Sequence, residues 1–318
     1  DESLRLPCDA CETDVAKERE VLDLSAANLV PVRCILRDES GAFERLMTDH
    51  SPFPEVALTD SQGVEHRLFK LPGPQNCEDI SRYLSGREMF LCEGQAQYDA
   101  ARTFHYERDL AGAGGERAHR FVMTYFVNQS CDSPTPLPNH FVISGLDDFD
   151  FSGLMKSLDH WFDLTQVRSL RDVDGILEDI GAASTKGPAF ALVGGGAVGR
   201  RTGYVVRLRA GVADELLSDL PKDSLHRRFP TSIIQRLVLR EAMVLSVDDC
   251  KYFDYYSDSN LAMQAGRAKD AQLLVLQRPT DLKLLQTFDD AEERLPPKSL
   301  ELFPQVLSGV MIHSLQRM

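Results

Sequence analysis

The chain has 318 residues, enough for one large domain or two of ordinary size. Its 43% hydrophobic and 26% charged residues are ordinary globular composition and exclude wholesale disorder. Lys and Arg number 35 against 49 Asp and Glu. The resulting charge of −14 repels a phosphate backbone, so nucleic acid is not an expected partner. Arg200, Arg201, Arg207 and Arg209 could form a local basic patch, but they read more simply as a solvated strand face. Apolar runs such as 190–193 and 273–276 are far shorter than the roughly 20 residues of a membrane-spanning helix. No charged stretch followed by an apolar run opens the given residues, so none of them is expected to be a secretory signal. Seven scattered cysteines, an odd number, fit an intracellular, reducing compartment where cysteine acts as a small hydrophobe.

In chain order, residues 29–36 predict a strand and 41–47 a short helix. A hairpin over 56–58 and 64–71 is split by Asp60-Ser61-Gln62-Gly63. A helix over 77–84, a buried strand over 89–92 and a helix over 95–110 follow, then a Gly-rich loop at 111–115. Strands at 121–127 and 141–144 flank a Pro-rich loop at 133–138. Helices are expected at 151–161 and 173–180, a hairpin at 190–193 and 204–208, a helix at 232–244 and a strand at 273–276. The last helix, 282–291, places Leu284, Phe288, Ala291 and Leu295 on one face, with Thr280 as its N-cap. The fold class is α/β (α+β), with mixed sheets and hairpins. The expected boundary near Asp148–Phe151 gives portions 1–150 and 151–318.

Gly194-Gly195-Gly196-Ala197-Val198-Gly199 matches a dinucleotide fingerprint in letters, but a β-branched run follows it instead of a helix. A hairpin turn without nucleotide is expected. Cys8-Asp9-Ala10-Cys11 lacks a second ligand pair for zinc, so free thiols are expected. The histidines at 50, 66, 105, 119, 140, 160, 226 and 313 show no ligand spacing, and no metal is expected. His105 lies on a stripe with Tyr98 and Ala101 and reads as a packed core histidine.

One segment joins an apolar strand, Met89-Phe90-Leu91-Cys92, to a helix through Glu93-Gly94-Gln95-Ala96-Gln97-Tyr98. Gly94 permits a tight turn, and a helix N-terminus after it is a generic anion seat. This segment resembles the hallmark of the bacterial family DUF 1015, a strand running into Asp-Gly-His-His-Arg-Tyr. Four flanking stretches are similar as well: His66-Arg67-Leu68-Phe69, Leu137-Pro138-Asn139-His140, Ser232-Ile233-Ile234-Gln235 and Leu295-Pro296-Pro297-Lys298-Ser299. The resemblance runs from about Ala27 to Ile312, and family members carry a further N-terminal portion. It implies a ParB/sulfiredoxin-like core followed by a C-terminal α/β portion. That superfamily includes free-serine kinases, so an intact member would transfer phosphate to a small hydroxylated metabolite.

The departures fall on the chemistry. Aspartate is replaced by Glu93, and His-His-Arg by Gln95, Ala96 and Gln97, which carry no charge. An upstream His-Glu-x-Thr has no counterpart, because no histidine precedes His50, and Gln305 replaces a closing lysine. Phosphoryl transfer depends on electrostatic stabilisation, which this turn no longer supplies. The expectation is a degenerate site, Glu93 to Tyr98, with no catalytic residues and no cofactor, in a protein acting as a subunit among other proteins. The alternative is a divergent phosphotransferase. Any cofactor would then sit on Gly94, Gln95, Lys298 and Ser299; the small-molecule ligand is unknown.

Overall fold

The computed structural model describes residues 3–48, 51–110, 118–130, 134–195, 201–268 and 270–315. The chain forms two compact units, Asp1–Thr135 with Leu302–Met318, and Pro136–Glu301. This differs from the expected division at 150. Residues 140–144 form a strand of the second unit's sheet, and the closing segment belongs to the first. A reading by local composition sees neither effect, because both depend on strand partners distant in sequence.

The first unit comprises β1 (Leu4–Arg5), α1 (Glu12–Ser25), β2 (Ala27–Asn28), β3 (Val32–Leu36) and α2 (Ala42–Leu46). The hairpin β4 (Val56–Thr59) and β5 (Glu65–Leu68) follows, then α3 (Pro74–Leu84), β6 (Met89–Glu93), α4 (Gln95–Leu110), a 3-10 turn at Ala118–Arg120 and β7 (Thr124–Asn128). Four of its strands form a mixed sheet in the order β1-β6-β3-β7. β6 is antiparallel to β3, while β1 is parallel to β6 and β7 to β3. β3 is buried along its whole length, as its apolar run requires. α4 coincides with the predicted helix. Ala100 and Phe104, four apart, form its buried stripe against Leu22 of α1.

α1 itself was not expected. Leu22 is its one buried residue, so no apolar period announces it. Tertiary contacts hold it: Arg19 pairs with Glu107 of α4 at 2.5 Å, and its guanidinium lies 5.3 Å from the Phe104 ring centroid.

β8 (Thr135–Leu137) lies where the chain enters the second unit. That unit continues with β9 (His140–Ser144), α5 (Phe151–Leu158), β10 (Phe162–Gln166), α6 (Val173–Ser184), β11 (Ala189–Gly194), β12 (Thr202–Leu208) and α7 (Val212–Leu216). It ends with α8 (Pro230–Ile233), which runs on as a π-helix at Ile234–Ala242, then β13 (Phe253–Tyr256), α9 (Ser259–Ala265), β14 (Ala271–Leu276) and α10 (Lys283–Asp290). β15 (Glu301–Phe303) leads out, and β16 (His313–Ser314) pairs with β2 in the first unit.

The second unit's sheet is antiparallel throughout, in the order β10-β12-β11-β14-β9-β13. Side chains alternate between two buried faces. Phe190, Leu192, Val206, Leu273 and Val275 face α5 and the 230–242 helix; Ala191, Val193, Val205, Leu274 and Leu276 face α6 and α9. With helices on both faces, the strands read as unbroken apolar runs although the sheet is antiparallel.

The hairpin predicted across the glycines is present. Leu192 pairs with Tyr204 and Val193 with Gly203 on adjacent antiparallel strands, while Gly196–Gly199 and Arg200 lie outside the described residues. The 111–115 loop, His50 and Cys131 also fall outside them. Arg207 bonds to Asp163 of β10, and Arg209 donates to the same carboxylate at 2.9 Å. Arg201 caps the Ala268 and Ala271 carbonyls. α10 buries Leu285 and Phe288, continuing from Leu282, rather than Leu284 and Ala291. Its first turn is bound by Asp281, whose carboxylate accepts from the Lys283 amide at 3.0 Å. Thr280 donates instead to the Ser299 carbonyl at 2.5 Å.

Candidate functional site

β6 delivers Glu93 to the end of the first unit's sheet, and the chain turns through Gly94 into α4. Gly94 has φ +89°, and a Cβ there would lie 2.8 Å from Val32 Cγ1 and 3.0 Å from the Val32 backbone. The turn therefore requires glycine on two counts, torsion and space.

Glu93 is occupied on both oxygens. Oε1 accepts the Leu302 amide at 2.7 Å, and Oε2 stands 3.1 Å from Arg33 Nε in an ion pair whose angle falls short of hydrogen-bond geometry. Arg33 is its cross-strand partner and is only 1% exposed. Its NH2 group donates to the Pro304 carbonyl at 2.5 Å, and the Tyr125 ring lies 5.7 Å away. Arg33 NH1 is buried with no hydrogen-bond partner among the described residues.

The polar residues after Gly94 are also engaged. Gln95 Nε2 donates back to the Leu91 carbonyl at 2.8 Å, and Gln97 Nε2 to Glu18 of α1 at 3.0 Å. Ala96 offers no polar group. Tyr98 packs against Val32, Cys34 and Leu91, and burial raises its phenol above the usual range.

Beside Gln97 lies a cavity of about 350 Å³, whose polar lining includes Glu18, Asn28 and Ser308 among apolar groups such as Leu22, Val30 and Val122. Among the described residues its lining holds no Lys, Arg or His. Desolvation, then the neighbouring Asp14, raises the Glu18 carboxyl above its usual range, which Gln97 partly offsets. Such a cavity suits an uncharged or weakly cationic ligand and opposes phosphate.

Lys298 and Ser299 belong to the second unit. The Lys298 carbonyl accepts from Asn139 at 2.8 Å, and its ammonium lies 5.2 Å from the Tyr255 ring centroid. Ser299 Oγ donates to the Pro296 carbonyl at 2.6 Å. Gln235 reaches the Pro297 carbonyl at 2.7 Å, and Ser232 bonds to His226 at 2.7 Å. The stretches at 139, 232–235 and 296–299 are thus a hydrogen-bonded knot around one loop. In the first unit, His66 bonds to Asp60 at 2.8 Å and pins the β4–β5 turn.

The model of the family described as "Protein of unknown function (DUF1015)" matches residues 12–213. The chain belongs to the DUF1015 family. No curated protein matches it. Among solved structures it is similar to a conserved hypothetical protein from Pyrococcus furiosus, with 10% identity over 96% of this chain and 90% of that one, at a TM-score of 0.46. A free serine kinase in complex with AMP is similar at 9% identity, 95% and 84% coverage and a TM-score of 0.42. SbnI from Staphylococcus aureus, truncated at its C-terminus, is similar at 7% identity, 96% and 82% coverage and a TM-score of 0.44. The DUF1015 match spans β3, β6 and β7 of the first unit's four-stranded sheet, together with the Glu93–Tyr98 turn. Among the described residues no helix is long and apolar enough to cross a membrane.

Sequence reasoning missed Arg33. Its signal was a charged residue inside an otherwise apolar strand, a buried charge that demands a partner. It also missed a grouping of His105, Asp109 and His119, whose ligand atoms lie within 4.8 Å of one another. His105 is half-buried beside that carboxylate and does not lie deep in the core.

Proposed function

We propose that this chain is a catalytically degenerate DUF1015 member whose family turn has become a structural joint, and that it serves as a structural or interaction subunit of a larger assembly. The ParB/sulfiredoxin kinship of its core belongs to this reading, as does its place in a reducing intracellular compartment. The observation that carries it is the state of Glu93. Its carboxylate is bound to the Leu302 amide and the buried Arg33, and the polar side chains that follow are tied to the Leu91 carbonyl and Glu18. A general base or metal-binding acid must be able to meet substrate, and here both oxygens face protein.

A divergent nucleotide-dependent phosphotransferase acting on a small hydroxylated metabolite such as serine is the second reading. Arg33 NH1, buried without a hydrogen-bond partner among the described residues, favours it, because a guanidinium and a helix N-terminus together attract phosphate. A thermal-shift titration with ADP and ATP, with and without magnesium, separates the two. The subunit reading expects no shift up to millimolar nucleotide, with a partner of fixed stoichiometry on native purification. Binding at 100 times Kd would stabilise the fold by about 2.7 kcal/mol. A saturable rise of several degrees, abolished by Glu93→Ala, would overturn the subunit reading.

A further inference from the structure

The far end of α4 carries a group of side chains that the family turn does not use. His105 and Asp109 are one helical turn apart on α4, and the 3-10 turn Ala118–Arg120 brings His119 against them. His119 Nε2 lies 3.2 Å from Asp109 Oδ1, and His105 Nε2 lies 3.8 Å from Oδ2 of the same carboxylate. The two imidazole rings are 5.6 Å apart. The position of the turn is itself tied down, since His313 Nε2 contacts the Ala118 carbonyl at 3.1 Å.

Two features separate this group from an ordinary surface ion pair. The spacing already approaches that of a coordination sphere: donors ~2.1 Å from a tetrahedral ion lie about 3.4 Å from each other. The second feature is His105. Its Nε2 is too far from Asp109 for a hydrogen bond, and its Nδ1 is buried with no partner among the described residues. His119 is also well enclosed, its side chain only 10% exposed. A buried imidazole nitrogen with no hydrogen-bond partner among the described residues calls for an explanation.

We propose that His105, Asp109 and His119 bind one divalent first-row transition ion of the zinc type. Two imidazole nitrogens and one carboxylate oxygen suit zinc rather than magnesium or calcium, which take mostly oxygen ligands. A water molecule fills the fourth position. Arg120 donates to Asp109 Oδ2 at 2.9 Å and so orients the carboxylate, whose Oδ1 meets His119. The ion joins the end of α4 to the turn at 118–120. The net charge of −14 favours accumulation of cations.

The test uses the full chain, stripped with a chelator and then titrated with zinc by calorimetry and with cobalt by visible absorption. One equivalent per chain is expected, with the d–d absorption of four-coordinate cobalt, and a melting temperature raised by several degrees at 100 times Kd. Magnesium at the same concentration leaves the melting temperature unchanged. His119→Asn and His105→Asn each weaken zinc by at least about 100-fold. Their metal-free urea midpoints, measured alongside, separate lost ligation from lost folding. Cys8→Ser/Cys11→Ser retains full binding, because those thiols are not ligands. No stoichiometric zinc up to millimolar concentration would overturn the proposal. So would undiminished binding to a folded His105→Asn/His119→Asn double variant, or loss of binding in the cysteine variant.

Discussion

Glu93→Ala distinguishes a structural carboxylate from a catalytic one. The substitution removes the counter-charge of Arg33, a side chain only 1% exposed, and the acceptor of the Leu302 amide. Breaking a fully buried pair from one side costs about 3–5 kcal/mol, because the remaining charge has neither partner nor water. Glu93 is 24% exposed, so water reaches part of the gap and the lower end, ~3 kcal/mol, is expected. The orphaned Leu302 amide accounts for about 1–2 kcal/mol of this. For a unit of this size that corresponds to a fall in Tm of roughly 6–12 °C. Glu93→Gln keeps an oxygen for the Leu302 amide while losing the charge, so its midpoint falls between the two. Urea unfolding followed by far-ultraviolet circular dichroism, with all three proteins in one buffer, reads the effect. An unchanged or raised midpoint for Glu93→Ala would refute the reasoning. Residues kept for chemistry commonly cost stability, and removing them relieves it.

Gly94→Ala combines a left-handed torsion with a Cβ 2.8 Å from Val32, and should cost about 2–4 kcal/mol. Gly63→Ala, at φ +82° in open space, should cost only about 1–2 kcal/mol in the same urea assay; equal losses would discount the Val32 clash. Burial pushes the Cys8 and Cys34 thiols up to about 12 and Cys92 well above its usual value, while Cys77 is exposed. Iodoacetamide at pH 8 should therefore label Cys77 in the native protein and the other three only after unfolding, as read by peptide mass spectrometry. Rapid native labelling of Cys8 would contradict this.

His140 is fully buried, and desolvation lowers its imidazole from 6.5 to about 4, slightly opposed by Asp258. The unfolded chain then binds a proton between those values while the folded chain does not, so stability is complete above about pH 6.5 and is lost as pH falls toward 4. The loss is about 3 kcal/mol. In urea midpoints across that range, His140→Asn should flatten this part of the slope; an equal slope in the variant would assign it elsewhere.

Much of this protein follows from local pattern. The turn from Met89–Glu93 through Gly94 into Gln95–Leu110 was legible because an apolar strand, a glycine and an alanine-rich amphipathic stretch each leave a short-range signature. The hairpin Ala189–Gly194 with Thr202–Leu208 was legible for the same reason, as was the absence of charge at Gln95, Ala96 and Gln97. Tertiary structure decided what depends on partners far away in the chain. α1 carries too few apolar residues to declare itself and is tied to α4 by the Arg19–Glu107 ion pair. Residues 140–144 look like the end of one half until the sheet places them between β14 and β13. The sequence by itself set Glu93, Gly94 and three uncharged residues, Gln95, Ala96 and Gln97, between a strand and a helix. Only the fold bound Glu93 to Arg33 and the Leu302 amide, residues 60 and 209 positions away, and brought His119 to His105 and Asp109, because side-chain proximity is set by packing and not by spacing along the chain.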